Sequence, residues 1–188
     1  NLDEIIARLR ADHPDPEAGA WIIGQGWDEG AFASQGYPDR RRLDEAFPSN
    51  PVALESLHGF AGMYNAKALE LAGVGASTPD PEGGTILARP SGEPTGVMLA
   101  LAQQLVNEHV PAPTLEQRKA AIVAGLEIMR AEGVTTVHEA GMSAGDVEAF
   151  LALAESGELP TRVYGMLNGN DPELMGTWFE RGPFGRPG

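Results

Sequence analysis

Histidine and carboxylate side chains are the groups in this sequence that could carry catalytic chemistry, because the 188-residue chain contains no cysteine. The four histidines, at positions 13, 58, 109 and 138, lie far apart in the sequence. They form neither a His-x-His nor a His-Glu-x-x-His pattern. Because protein metal sites commonly use such closely spaced ligands, the residues indicate no self-contained metal motif, and no metal ligand is predicted in this chain.

The adjacent residues His138 and Glu139 are the strongest candidates for a functional role. They follow a β-branched run at residues 134–137, which predicts a short buried strand with the pair in the loop at its end. In a β/α barrel, residues at the carboxyl ends of the strands line the mouth of the active site. The pair is therefore predicted to line a substrate pocket. The alternative is that one side chain packs into the sheet while the other hydrogen-bonds a neighbouring loop.

His58 is the third candidate for the substrate pocket. It follows a second predicted strand, at residues 51–57, and precedes Gly59 and Phe60. The alternative interpretation is a histidine that only stabilises its own loop. No catalytic residue is assigned from the sequence.

Helix and strand signals in the last third of the chain predict the framework that positions His138 and Glu139. Thr114 and Gln117 have the spacing of a capping box and open a helix over residues 114–132. A second helix runs from Ser143 to Gly157, and a second strand covers residues 159–167. This order predicts a βαβ unit with two parallel strands, followed by a last helix that begins at residues 171–172.

The first part of the chain is typical of an α+β subdomain. The pattern predicts an N-terminal helix, a helix over residues 65–72, a hairpin that pairs residues 85–88 with 95–97, and a helix over 98–106. A proline-rich seam at residues 111–113 separates this part from the βαβ unit. We therefore expect an N-terminal helix at residues 1–20, an inserted α+β subdomain at 21–110 and a β/α barrel segment at 111–188.

Charge and hydropathy exclude several classes of partner. Acidic residues outnumber basic residues by 27 to 13, and the formal net charge is −14. A chain of this charge is a poor ligand for the nucleic-acid backbone or an anionic membrane surface, and no apolar run approaches the roughly 20 residues that cross a bilayer. We expect no nucleic-acid or membrane partner. A cytoplasmic location is the expectation.

Short motifs along most of the chain resemble amidohydrolase family 3, a group of metal-dependent hydrolases. They occur in the order that is usual for the family, and each is weakly specific by itself. They are residues 21–28 (WIIGQGWD), 43–44 (LD), 50–52 (NPV), 58–60 (HGF), 65–69 (NAKAL), 72–73 (AG), 78–84 (TPDPEGG), 92–97 (GEPTGV) and 133–139 (GVTTVHE). Many relatives have histidine where this chain has Phe60, which sets this loop apart from the commoner form.

The resemblance implies a TIM-barrel hydrolase that attacks C–N bonds other than peptide bonds in a small amide-type substrate, with a binuclear, zinc-type divalent metal. It also implies that the metal ligands, including a His-x-His pair, belong to barrel strands that this sequence does not contain. The chain is then expected to be an internal fragment of an α/β protein. It would hold strands two and three of a partial TIM-type barrel and an inserted α+β subdomain, bind no metal and be inactive alone.

Two other classes of function stay open at this stage. One is a non-catalytic binding or oligomerisation module, since the unpaired outer strands of a partial barrel are expected to favour a homo-oligomer. The other is a complete small enzyme in which His138 and Glu139 meet another acid or His58.

Overall fold

Two separate β-sheets organise the chain, which divides into a first unit, Asn1–Pro111, and a second unit that begins at Ala112. The computed structural model describes residues 1–28 and 36–182. Both units combine strands with helices, so the chain is mixed α/β, as the sequence predicts. Every helix in the described ranges is too short or too polar to span a bilayer.

The first unit is built on a five-stranded sheet with strand order β1-β2-β3-β5-β4. Strand β1 runs parallel to β2, and the other neighbours are antiparallel. The strands are β1 (Ile22–Trp27), β2 (Val52–Ser56), β3 (Ala61–Tyr64), β4 (Gly84–Ala88) and β5 (Pro94–Ala100). The helices are α1 (Leu2–Asp12), α2 (Arg41–Ala46), α3 (Ala66–Leu71) and α4 (Gln104–Asn107), the last preceded by a 3-10 turn at Leu101–Gln103.

Alternate residues of this sheet contribute to two apolar cores, one on each face. Val52 and Leu54 of β2 pack with Ile6 and Leu9 of α1 in the first core. Ala53, between them in sequence, belongs to the second core, which includes residues of α3 and α4. Both faces of the sheet are therefore covered within the first unit.

The side chain of Asn65 joins three segments of the first unit and is only 1% exposed. Its Oδ1 accepts hydrogen bonds from the backbone N–H of Val52 (2.9 Å) and of Ala68 (3.1 Å). Its Nδ2 donates to the carbonyls of Phe47 (3.1 Å) and Asn50 (2.8 Å). Asn65 thus caps helix α3 and at the same time fixes the start of β2.

We expect Asn65→Ala to lower the free energy of unfolding by about 3 kcal/mol, because it removes a helix cap and leaves buried backbone groups without partners. Urea unfolding followed by tryptophan fluorescence measures this effect. The matched control is Asn107→Ala, which removes the same group at an exposed position that accepts one hydrogen bond, from the Tyr64 hydroxyl. Equal effects of the two substitutions would contradict the role of Asn65.

A cluster of charged side chains ties the segment before α2 to the β4–β5 hairpin. Arg89 donates to both carboxylate oxygens of Asp39 at 2.7 Å and pairs with Glu93 at 2.7 Å. Arg40 pairs with Glu93 at 2.7 Å and also with Asp44. The side chains of Arg89 and Arg40 are only 11% and 12% exposed, so this network is better shielded from water than ordinary surface ion pairs.

The hydrogen bond from Arg89 holds the pKa of Asp39 below its usual value. A carboxylate whose pKa is lower in the folded state stabilises the protein above its unfolded pKa of about 3.9, and this contribution disappears as the pH falls through the lower folded value.

We therefore expect Asp39→Asn to destabilise the first unit at about pH 7, with a difference from the parent chain that shrinks below about pH 4. Urea midpoints measured across this pH range give the comparison. Asp12→Asn, at an exposed position, is the matched control and should leave the urea midpoint at pH 7 unchanged. A pH-independent difference for Asp39→Asn would contradict this account.

The second unit contains the predicted βαβ arrangement. Strands β6 (Thr136–Met142) and β7 (Arg162–Leu167) are parallel neighbours, which confirms the prediction. They alternate with helices α5 (Leu115–Ala131), α6 (Ala144–Ser156) and α7 (Pro172–Arg181). The capping box at Thr114 and Gln117 is formed as the sequence predicts.

Several predicted boundaries are wrong. The helix predicted over 98–106 begins as strand, because β5 extends to Ala100 and pairs with β3 and β4 on its two sides. Pairing with neighbouring strands here outweighs local helix preference. The strand predicted at 134–137 instead starts at Thr136 and continues to Met142.

Candidate functional site

His138 and Glu139 lie inside strand β6 and not in a loop after it, which corrects the predicted placement. The strand continues because His138 pairs in register with Tyr164 of β7, and Glu139 pairs with Gly165. A register shift between Ala140 and Met142 marks an irregularity near the carboxyl end of β6. The two candidates are therefore held by a parallel ladder of hydrogen bonds.

Strand alternation separates the two candidate side chains. Successive residues of a strand point to opposite faces of the sheet, so His138 and Glu139 face opposite ways. His138 contacts the ring of Tyr164, with ring centroids 5.2 Å apart. Glu139 lies on the other face, where Met142 covers Gly165. The pair is adjacent in sequence but does not form one constellation on one face.

The two faces of the β6–β7 sheet differ in what covers them. On one face, Leu167 packs against a small core of Met142 and Val147, together with residues of α7. We call the opposite face, defined by Thr136, His138, Ala140, Arg162, Tyr164 and Met166, the free face. Of these, Tyr164 is 61% exposed and Met166 is 39% exposed. The second unit thus has helical cover on one side of its sheet, with His138 on the other side.

A large open groove of about 1070 Å³ lies against strand β7 of the second unit, and its lining includes Arg162, Val163 and Tyr164. Phe150 and Leu151 of α6 and Met175 and Trp178 of α7 contribute to its mostly apolar lining. Thr161 also lines it, and its buried hydroxyl has no hydrogen-bond partner in the part of the chain that the structure describes. The lining of the groove therefore includes a buried polar group that is unsatisfied among the described residues.

His58 lies in the first unit, in the turn that joins β2 to β3, and is exposed. Its neighbours Leu57 and Phe60 are 59% and 52% exposed. We call residues 57–60 the hairpin tip. This segment presents one imidazole and two large apolar side chains to solvent.

The buried side chain of Gln103 contacts the backbone of the hairpin tip. Gln103 is 8% exposed, and its Nε2 lies within hydrogen-bond distance of the carbonyls of Gly59 (3.0 Å), Phe60 (3.1 Å) and Ala100 (3.2 Å). Ala100 has a φ of 50°, a conformation that non-glycine residues seldom adopt. These contacts fix the backbone on which His58 sits.

We expect Gln103→Ala to speed hydrogen exchange of the Gly59 and Ala61 amides by about tenfold, because the tip loses the donor that fixes its carbonyls. Hydrogen exchange read by NMR or mass spectrometry measures this effect. Gln104→Ala, at the adjacent exposed position, is the matched control. Unchanged exchange in the Gln103 variant would show that other contacts hold the tip.

The described residues do not fit a metal centre. Within ranges 1–28 and 36–182, no group of three or more His, Asp or Glu side chains is placed to hold an ion. His58 belongs to the first unit and His138 to the second. Neither candidate histidine is therefore part of a metal-binding cluster in the described structure.

Sequence reasoning missed Tyr164 and Gln103. Tyr164 becomes notable only through its register with His138, because the two are 26 positions apart in sequence. Gln103 lies in a segment predicted to be helical, where a glutamine carries no special signal. The alternation of β7 could have revealed Tyr164 if the register of the two strands had been known.

A sequence profile of the amidohydrolase family matches residues 1–185. The chain therefore belongs to the amidohydrolase family, which confirms the family that its motifs predict.

Three known proteins show how much of the family's length this chain represents. YtcJ of Bacillus subtilis (strain 168) is 35% identical over 149 residues, which cover 77% of this chain and 28% of YtcJ. The N-substituted formamide deformylase of Arthrobacter pascens is 30% identical over 175 residues, covering 90% of this chain and 32% of that enzyme.

The third is the crystal structure of an uncharacterized metal-dependent hydrolase from Pyrococcus horikoshii OT3. It has a TM-score of 0.62 and 23% identity, covering 96% of this chain and 33% of that one. At this identity the likeness concerns the fold alone. The chain thus spans about a third or less of the length of these proteins.

Proposed function

We propose that this chain is a segment of a metal-dependent hydrolase that cleaves C–N bonds other than peptide bonds in small amide-type molecules. The observation that carries the proposal is the parallel β6-α6-β7 unit, whose sheet has helices on one face and His138, Arg162 and Tyr164 on the other. In a β/α barrel the helices lie outside and the opposite face of each strand lines the interior. The second unit then supplies two neighbouring barrel strands, and the first unit is an insertion.

The C–N bond specificity of this proposal rests on the family and on one relative. The relative from Arthrobacter pascens is named as a deformylase of N-substituted formamides, and the reaction that this name describes breaks a C–N bond. His138, Glu139 and His58 are proposed to shape the substrate pocket of the whole protein. Because His138 and Glu139 face opposite ways, only His138 would face the barrel interior, and Glu139 would act from the helix side of β6.

The metal of the proposed enzyme would be bound outside the described residues. The family resemblance implies a zinc-type binuclear site, whereas the described histidines and carboxylates form no ligand cluster. Residues from the remainder of the whole protein would have to supply the ligands. For that reason we expect the 188-residue chain to be inactive alone.

The first experiment compares the 188-residue chain with the product of its full-length gene, purified side by side. Metal content is measured by mass spectrometry, and hydrolysis is measured on N-substituted formamides and other small amides. We expect the full-length protein to bind divalent metal and hydrolyse at least one amide, and the chain alone to do neither. A stoichiometric metal and amidase activity in the chain, or a gene that adds no residues to it, would contradict the proposal.

A second candidate function is a binding or oligomerisation module. It is favoured by the exposed apolar surface of the second unit, where Ile128 is 70% exposed and Phe179 is 78% exposed. Where such residues form one contiguous patch, they mark an interaction surface. Light scattering of the full-length protein tests it. A stable oligomer without any amide hydrolysis would favour this second function over the first.

A further inference from the structure

The free face of the β6–β7 sheet has a composition that structural packing does not explain. Interior positions of β/α barrels are dominated by bulky branched side chains such as Val, Ile and Leu, which fill the barrel in layers. The three free-face positions of β6 are instead Thr136, His138 and Ala140. Those of β7 are Arg162, Tyr164 and Met166, so hydrogen-bonding groups occupy most of this face.

His138 and Tyr164 form one layer of this face. They are direct partners in the parallel register, and their rings are tilted by 44° with centroids 5.2 Å apart. Neutral imidazole carries one N–H donor, and the phenol carries an O–H donor. Side by side, the two rings offer two donors that can converge on one acceptor oxygen.

The free-face residues next to this pair differ between the amino ends and the carboxyl ends of the two strands. Toward the amino ends of the strands, Arg162 donates to the hydroxyls of Thr136 (3.1 Å) and Thr135 (3.4 Å), which links the two strands there. Toward the carboxyl ends, Ala140 is the next free-face residue of β6. Ala140 pairs with Met166 of β7, and its methyl group fills less of the layer next to His138 than a larger side chain would, on the side from which barrel enzymes admit their substrates.

We propose that His138 and Tyr164 together bind the carbonyl or carboxylate oxygen of a small amide substrate or its product, and that Ala140 provides the space for it. This inference rests on the proposed function, since it needs the free face to line the interior of a barrel. Glu139 takes no part, because it lies on the opposite face of β6. Tyr164 is therefore a substrate-binding residue and not only a support for His138.

The first test is steady-state hydrolysis of N-ethylformamide by the full-length protein. Tyr164→Phe keeps the ring and removes the hydroxyl, and we expect it to lower kcat/KM about tenfold, mostly through KM. His138→Ala should have a similar effect, and the double variant should lose less than the product of the two single effects, because both donors serve one oxygen. Ala140→Leu should also weaken binding by filling the space.

Matched controls separate this role from general damage. Tyr37→Phe and His109→Ala make the same chemical changes in the first unit and should leave kcat/KM unchanged. Thermal melting of the full-length Tyr164→Phe variant, which keeps the ring and its contact with His138, serves as the check on folding. Unchanged kinetics in Tyr164→Phe would overturn the inference.

A binding measurement distinguishes failure of this inference from failure of the proposed function. Carbon-13-labelled formate is titrated with the full-length protein, and broadening of its NMR line reports binding without any need for turnover. If the broadening is lost in Tyr164→Phe and in His138→Ala, the proposal that these two residues bind the oxygen is supported, even if no amide is hydrolysed. In that case only the proposed reaction fails. If the formate line is still broadened in both variants, the proposal that His138 and Tyr164 bind the oxygen is wrong, even if the enzyme is active.

Discussion

Parallel β-strands are stable when both faces of their sheet are covered, and this constraint governs the interpretation of the second unit. A parallel pair also needs a long crossover, here supplied by α6, which places helices on one side of the sheet. In the described structure β6 and β7 have that cover on one face, and Tyr164 and Met166 are exposed on the other. The first unit meets the same constraint within its own residues, because α1 covers one face of its sheet and α3 and α4 cover the other.

This asymmetry decides which residues are available for chemistry. The side that faces α6 and α7 carries Leu167, which packs against Met142 and Val147. The free face carries His138 beside Tyr164, and Arg162 lies next to them toward the amino ends of the strands. Strand alternation therefore divides His138 from Glu139 more sharply than their adjacency in sequence suggests, and it pairs His138 with a residue on another strand.

Local signals predicted α5 and α6 well, because capping depends on residues three positions apart, whereas α2, whose N-cap makes no side-chain hydrogen bond, was not predicted. The boxes at Thr114 and Ser143 are formed as their spacing indicates. Strand ends were harder to predict, since they depend on partners that are distant in sequence. Residues 98–100 have no local feature that favours strand, and they join β5 because β3 and β4 flank them. Strand β3 lacks the usual alternation, since all four of its residues are buried, and it was not predicted.

The most direct test of the account is an experimental structure of the full-length protein. We predict that β7 pairs on its free edge with a further parallel strand, that the side chains of His138 and Tyr164 face an enclosed interior, and that the metal ligands come from residues outside this chain. A full-length protein in which β7 remains an edge strand, or in which the free face is covered by an apolar helix, would contradict the account.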